Sequence, residues 1–179
     1  MKKEVKQTQS KPPLRSEKTE NKTLVVYASK CGATEEAANI IAKTLSDKNG
    51  LDVEMVNIRK EPNPEITQYC NLVIGGGVRA GKVYKETSEF MKQDLSDKRV
   101  ALFICSGAAG NKLHHDEIAE KYITKGLAKN LNGQLVAMNA FGGCIRIFGR
   151  AVVDRRDPAK IQVWAEELGM KLSDIQQNL

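Results

Sequence analysis

The stretch TLVVYASKCGATEEAANIIAKTL, residues 23–45, decides the fold. Its first six residues, Thr23 to Ala28, make a short and nearly all-apolar run, as a strand covered on both faces must be. Ser29-Lys30-Cys31-Gly32 interrupts that run. From Thr34 to Leu45 the residues Ala37, Ala38, Ile41 and Leu45 then fall on one helical face. A buried strand, a small polar loop and an amphipathic helix form one β-α unit.

The same alternation recurs to the C-terminal side. Val53–Ile58, Asn71–Ile74, Val100–Cys105 and Gln134–Ala140 read as four further strands, and Glu86–Leu95 and Glu117–Leu131 as helices. A last helix opens at Asp157-Pro158, an N-cap followed by proline at the first helical position, and carries Ile161, Trp164, Ala165, Leu168 and Leu172 on one stripe. Five such units predict a doubly wound α/β domain whose parallel sheet is covered on both faces. At 179 residues the chain suits one domain, expected over residues 23–179, and 41% hydrophobic with 28% charged residues is too apolar for wholesale disorder.

To the N-terminal side, residues 1–22 are Lys, Gln, Ser, Glu and Pro with little that is apolar, and they read as a disordered basic arm. They hold seven Lys and Arg against three Glu, so +4 of the net +6 sits in the arm and +2 remains for the domain. A basic face for nucleic acid is therefore not expected. The arm's charge leaves open a peripheral contact with an anionic membrane or a partner. No run approaches the roughly 20 apolar residues of a membrane span, and no apolar core follows Met1-Lys2-Lys3-Glu4 as in a secretory signal, so cytoplasmic residence is expected. Cys31, Cys70, Cys105 and Cys144 lie 39, 35 and 39 residues apart. That spacing matches neither a zinc nor an iron–sulfur site and implies free thiols.

Ligands of open α/β sheets bind beyond the carboxyl ends of the strands, so the residues after each strand are the informative ones. Ser29-Lys30-Cys31-Gly32-Ala33-Thr34 brings two hydroxyls, a lysine and a glycine to a helix N-terminus, which suits a phosphate. Neither the dinucleotide fingerprint nor the Walker A pattern is present, and by itself this loop reads as a helix cap. It is three such loops on one edge of the sheet that favour a ligand. After the third strand, Gly75-Gly76-Gly77-Val78-Arg79-Ala80-Gly81-Lys82-Val83-Tyr84 reads as a long glycine-rich loop, and Ser106-Gly107-Ala108-Ala109-Gly110-Asn111 as another after the fourth. Two such loops form walls around a planar ring.

Together these residues resemble the flavodoxin-like family. The first loop looks like its [ST]-x-T-G-x-T phosphate motif, with Cys31 where the family usually has threonine. Leu72 through Gly81, Lys98 through Phe103, Phe141-Gly142-Gly143, and Arg156-Asp157 ahead of Trp164 are similar to the flavodoxin-domain branch that includes menaquinone-dependent protoporphyrinogen oxidase. The resemblance covers about residues 23–170. It implies five parallel strands in the order 2-1-3-4-5 and FMN as cofactor, with its phosphate on Ser29, Lys30, Cys31, Gly32, Ala33 and Thr34. It implies an isoalloxazine between Gly76, Gly77, Val78, Arg79, Ala80, Gly81 and Tyr84 on one side and Ser106, Gly107, Ala108, Ala109 and Gly110 on the other. A backbone carbonyl of Gly76 or Gly77 would accept from the reduced N5, and Tyr84 is the nearest aromatic partner.

The implied function is electron transfer through bound flavin, to a redox partner protein or to a quinone- or porphyrin-type small molecule. One alternative is a protoporphyrinogen-oxidase-like FMN dehydrogenase with a quinone acceptor, and another is a flavin-free interaction domain. Shuttle flavodoxins are strongly acidic and this domain is not. The segment Cys144–Val153, with Arg146, Arg150, Arg155 and Arg156 in and after it, reads as a solvated loop that also suits carboxylates or a membrane surface. His114-His115 read as surface residues and Trp164 as core. A phospho-receiver is excluded because Tyr27-Ala28-Ser29 offers no acidic cluster for Mg²⁺.

Overall fold

The structure, a computed structural model, describes residues 22–148 and 150–174. The arm expected at the N-terminus lies outside them except for Lys22. That residue opens β1, pairs with Glu54 at 2.7 Å and covers the Tyr69 ring at 5.1 Å.

The strands β1 (Lys22–Ala28), β2 (Asp52–Asn57), β3 (Asn71–Arg79), β5 (Arg99–Ser106) and β6 (Gln134–Gly142) form a parallel sheet in the order β2-β1-β3-β5-β6, and the two-residue β4 (Lys82–Val83) pairs antiparallel with β3. Counting the parallel strands alone, this is the expected order 2-1-3-4-5. The helices are α1 (Ala33–Asn49), α2 (Lys85–Phe90), α3 (His115–Ala119) and α4 (Pro158–Asp174). Successive strand residues point to opposite faces, so one run of sequence feeds two cores. Leu24, Val26, Ile74, Leu102 and Ile104 pack with Phe90, Leu95 and Ile123, whereas Val25, Val73, Ala101 and Phe103 pack with Ile41, Leu45, Trp164 and Leu168.

The second core closes on an aromatic trio. Phe103, Phe141 and Trp164 stand with ring centroids 5.5–6.4 Å apart and tilted, the arrangement aromatic quadrupoles favour. Phe103 is the register partner of Gly75 on the neighbouring strand, and a Cβ added there would lie 2.1 Å from the Phe103 ring. The glycine is required by that close approach. At the other end of the domain, the Asp157 carboxylate accepts from the Lys160 amide at 3.1 Å and Pro158 opens α4, as the sequence predicts.

Four expectations change. Gly75-Gly76-Gly77 is not the start of a flexible loop, because β3 runs straight through it to Arg79. The glycines stand where Phe103, Thr87 and Tyr84 press on the strand. The stretch expected to be helical over Glu117–Leu131 breaks into α3, a π-helical turn over Glu120–Thr124, and a 3₁₀ turn over Leu127–Asn130. Gly126 marks the break, with φ −98° and ψ −92° and its α-hydrogen side turned against the Tyr122 carbonyl. In place of the loop expected over Cys144–Val153, β7 (Cys144–Ile147) pairs antiparallel with β8 (Arg150–Asp154) as a β-hairpin. The helix expected over Glu86–Leu95 is only the six residues of α2.

Overpacking a buried aromatic ring that cannot move costs about 1–3 kcal/mol. Gly75→Ala is expected to lower unfolding stability by that amount in urea titration. Adding Phe103→Leu, which vacates the contested space, is expected to recover part of the loss in the double variant.

Candidate functional site

The strand order reverses between β1 and β3, and at their carboxyl ends a cleft of about 440 Å³ opens, within the range of small-molecule sites. The loop after β1 forms its base. Gly32 adopts φ 91°, a left-handed turn that brings the chain into α1, and its amide donates to Ser29 Oγ at 3.2 Å. No side chain caps α1. The two first-turn acids are held by other partners: Glu35 accepts from the Tyr27 hydroxyl at 3.2 Å, and Glu36 is ion-paired with Arg156. The positive end of a 17-residue helix therefore faces the cleft without a carboxylate cap, beside Lys30 and Arg79.

Of the residues predicted from sequence, Ser29, Lys30, Cys31, Ala33 and Thr34 line the cleft from the first loop. Gly77, Val78, Arg79, Ala80, Gly81 and Tyr84 line it from β3 and the turn that follows. Ser106, Gly107 and Ala108 line it from the loop after β5. Four others do not line it. Gly32 shapes the turn behind the lining, and Gly76 lies inside the sheet between Ala28 and Ile104. Ala109 is buried in the core, because a tight turn joins its amide to the Ser106 carbonyl at 3.2 Å, and Gly110 backs onto Arg155.

The wall after β3 is a hairpin turn. Ala80 and Gly81 both have positive φ, 49° and 74°, between the paired Arg79 and Lys82. Tyr84 folds back over Gly77 and donates its amide to the Gly77 carbonyl at 3.0 Å. A Cβ at Gly77 would lie 2.5 Å from the Tyr84 ring and 3.1 Å from Thr34 Oγ1, so the absent side chain creates the seat for both. The Arg59 guanidinium lies 5.6 Å from the centre of that ring. Burial, then the neighbouring Cys31, raises the Tyr84 phenol above its ordinary value, so it stays a neutral donor.

Cys105 lies below α1 with its thiol 3.8 Å from the Ala33 carbonyl, and burial pushes it up to about 12. Sequence reasoning missed it as a lining residue, together with Ile118, Tyr122, Gly143, Cys144 and Ile145. Tyr122 reads from sequence as an inward helical position. It reaches the cleft through the π-helical turn, a local widening that periodicity does not signal. Ile145 reaches it from β7, packed over Gly107. Among the described residues no group of three His, Cys, Asp or Glu is disposed to hold a metal ion.

A cleft at the switch point of a sheet with this strand order, based on an uncapped helix and walled by small residues, defines a flavodoxin-like α/β domain. The chain belongs to the flavodoxin domain family, whose model matches residues 24–163. Protoporphyrinogen IX dehydrogenase (quinone) of Escherichia coli strain K12 is 29% identical over 72 residues, which are 40% of this chain and 39% of that protein. The chain thus matches about two fifths of the length of that curated relative. Among solved structures, oxidised flavodoxin 2 from Bacillus cereus superposes with a TM-score of 0.61 at 19% identity, over 86% of this chain and 99% of that one. The WrbA-like flavodoxin from Agrobacterium tumefaciens gives 0.58 at 15%, over 88% and 98%. Rubredoxin:oxygen oxidoreductase from Desulfovibrio gigas gives 0.60 at 12%, over 88% of this chain and 36% of that larger one.

Two consequences follow, one from exposure and one from titration. In the native protein Cys31, which is half-buried, is expected to be alkylated ahead of the buried Cys105, as mass-spectrometric mapping reads directly. Cys105 is raised from 9.0 to about 12, and Tyr69, buried and donating to Glu54, from 10.0 to about 12. The unfolded chain therefore releases these protons first. Their contribution to stability is complete below about pH 9 and is lost as the pH climbs toward about 12. Denaturation midpoints across that window should fall, and should fall less steeply in Cys105→Ala.

Proposed function

We propose that this domain binds FMN in the cleft and passes electrons through it. The observation that carries the reading is the uncapped N-terminus of α1 at the sheet's switch point, open to the cleft and flanked by Lys30 and Arg79. The residues fit the group. Backbone amides of the first turn of α1 receive the phosphate, the Ser29 and Thr34 hydroxyls add donors, and the two cations balance its charge. Cys31 offers a weaker donor than a hydroxyl at its position. The small residues Ala80, Gly81, Gly107 and Ala108 admit a planar ring edge-on, with Tyr84 and Tyr122 as its aromatic neighbours. Val78, Ile118 and Ile145 keep water from its faces.

Flavin supplies one- and two-electron transfer when bound, and the protein's part is binding, orientation and electrostatics. Tyr84, held neutral, and the peptide groups from Gly77 to Gly81 are the donors and acceptors available to the ring. No side chain is assigned as a general acid or base. The electron acceptor is a redox partner protein or a quinone-type small molecule.

A second reading is a dehydrogenase of protoporphyrinogen type with a quinone acceptor, favoured by the 72-residue similarity to the Escherichia coli enzyme. Turnover separates the two. Oxidation of a porphyrinogen by the purified, flavin-loaded protein with a quinone supports the dehydrogenase. Flavin reduction and reoxidation by a partner protein without such turnover supports the carrier.

The cofactor reading is tested at Gly32. A Cβ there meets nothing within 4 Å, so substitution is limited by φ 91° and not by crowding. Gly32→Ala carries that backbone strain alone, and Gly32→Asp adds a carboxylate at the phosphate position. The expected result is a yellow wild-type protein whose affinity for FMN falls at least a hundredfold further in Gly32→Asp than in Gly32→Ala. Equal occupancy in both variants contradicts the phosphate assignment. A colourless wild type that ignores added FMN leaves the flavin-free interaction domain.

A further inference from the structure

Beside the cleft, two segments carry large apolar side chains into solvent. The loop over residues 107–114 follows β5 and the β7–β8 hairpin follows β6, and β5 and β6 are parallel neighbours. Both segments therefore leave the carboxyl edge of the sheet side by side. Phe148, where β7 turns toward β8, is 102% exposed, and Leu113 in the neighbouring loop is 87% exposed. Val152 and Ile145 on the hairpin are about half exposed. A single exposed apolar residue is ordinary; four on two adjacent segments at one edge are not.

Phe148 also holds a left-handed φ of 47°. That conformation suits glycine or asparagine and is unfavourable for an aromatic residue, so its ring is not there to ease the turn.

The same edge is basic. Lys112 precedes Leu113, Arg150 opens β8 close to Phe148, and Arg79 and Lys82 flank the turn after β3. Of the acids along these segments, Asp154 is ion-paired with Arg156. Arg155 adds a further cation, donating to the Gly107 carbonyl at 3.0 Å. With the exposed Asp116 and Glu117 counted against them, Arg79, Lys82, Lys112, Arg150 and Arg155 leave the edge with an excess of positive charge.

We propose that this edge docks on an anionic lipid bilayer, with Phe148 and Leu113 entering the boundary between headgroups and acyl chains while the surrounding cations face lipid phosphates. Charge complementarity selects the occupant, as does shape. Two projecting tips offer little of the roughly 800 Å² per partner that a stable protein interface buries, whereas interfacial insertion needs only apolar tips among cations. No described helix is long and apolar enough to cross a membrane, which fits a surface contact. Ile145 belongs both to the hairpin and to the cleft wall, so docking brings the cleft mouth to the bilayer. Only this last consequence, access for a lipid-soluble quinone, rests on the flavin reading.

The test is co-sedimentation of the full chain, with and without added FMN, with vesicles of equal phosphatidylglycerol and phosphatidylcholine or of phosphatidylcholine alone. Expected are at least tenfold stronger partitioning on the anionic vesicles and at least a tenfold loss in Phe148→Asp/Leu113→Asp, with circular dichroism unchanged. The basic arm responds to charge as well, so the double variant decides and salt alone does not. Phe148→Trp should emit at shorter wavelength on anionic vesicles and be quenched by brominated acyl chains, while Trp164, buried in the core, reports the fold. No partitioning on anionic vesicles, partitioning unchanged by the double variant, or an unshifted and unquenched Phe148→Trp overturns the proposal. A concentration-dependent dimer abolished by the double variant, without vesicle binding, overturns it in favour of self-association. Docking that is equal with and without FMN supports it even if the cleft takes no flavin.

Discussion

Everything in this domain is arranged around a central strand that gives up three consecutive side chains. At Gly75 the space is taken by Phe103, whose ring completes the contact between the sheet and α4. At Gly76 it is taken by Thr87 and Val83 on the opposite face, and at Gly77 by Tyr84 and Thr34 at the cleft. One run of backbone thus sets the core on both faces and then the floor of the site. The cost is conformational entropy, since glycine loses more freedom on ordering than any other residue. Ladder pairing on both sides, to β1 and β5, offsets it.

That arrangement also explains which parts of the molecule the sequence discloses. Strands buried on both faces are unbroken apolar runs, and 24–28 and 100–105 are found from hydropathy alone. The first loop and α1 are equally legible, because Gly32 and the apolar stripe of Ala37, Ala38, Ile41 and Leu45 follow from local chemistry. The glycine run was not legible as strand. Glycine signals conformational freedom when read locally, and only the facing residues, far away in sequence, reveal that it signals close approach. Likewise nothing local to Glu117–Leu131 announces the π-helical turn that swings Tyr122 into the cleft. The hairpin after Gly143 alternates apolar and basic residues as many solvated loops do. Ala109 and Gly110 fall outside the cleft because a single hydrogen-bonded turn at Ser106 redirects the chain, a geometry that composition does not encode.

Electrostatics set the character of the cleft's base. The helix α1 presents its positive end while its own first-turn acids are drawn off, Glu35 by Tyr27 and Glu36 by Arg156 from the far end of the chain. Arg156 is shared with Asp154, so the hairpin, the N-terminal approach to α4 and the start of α1 are tied into one charged cluster beside the cleft. The thiol beneath the helix, Cys105, is kept neutral by burial and adds no negative charge below the N-terminus of α1. The domain's net charge is not the acidic one expected of a soluble shuttle, and Lys30 and Arg79 line the cleft.

The claim on which the functional account turns is that a phosphate is held by the N-terminus of α1. It is tested most directly by titrating the purified protein with FMN and with riboflavin, which share the ring and differ in the phosphate, and following the quenching of flavin fluorescence. The account predicts one FMN per chain and at least a hundredfold weaker binding of riboflavin, about 2.7 kcal/mol in the phosphate contact. Equal affinity for the two flavins, or binding of neither, contradicts it.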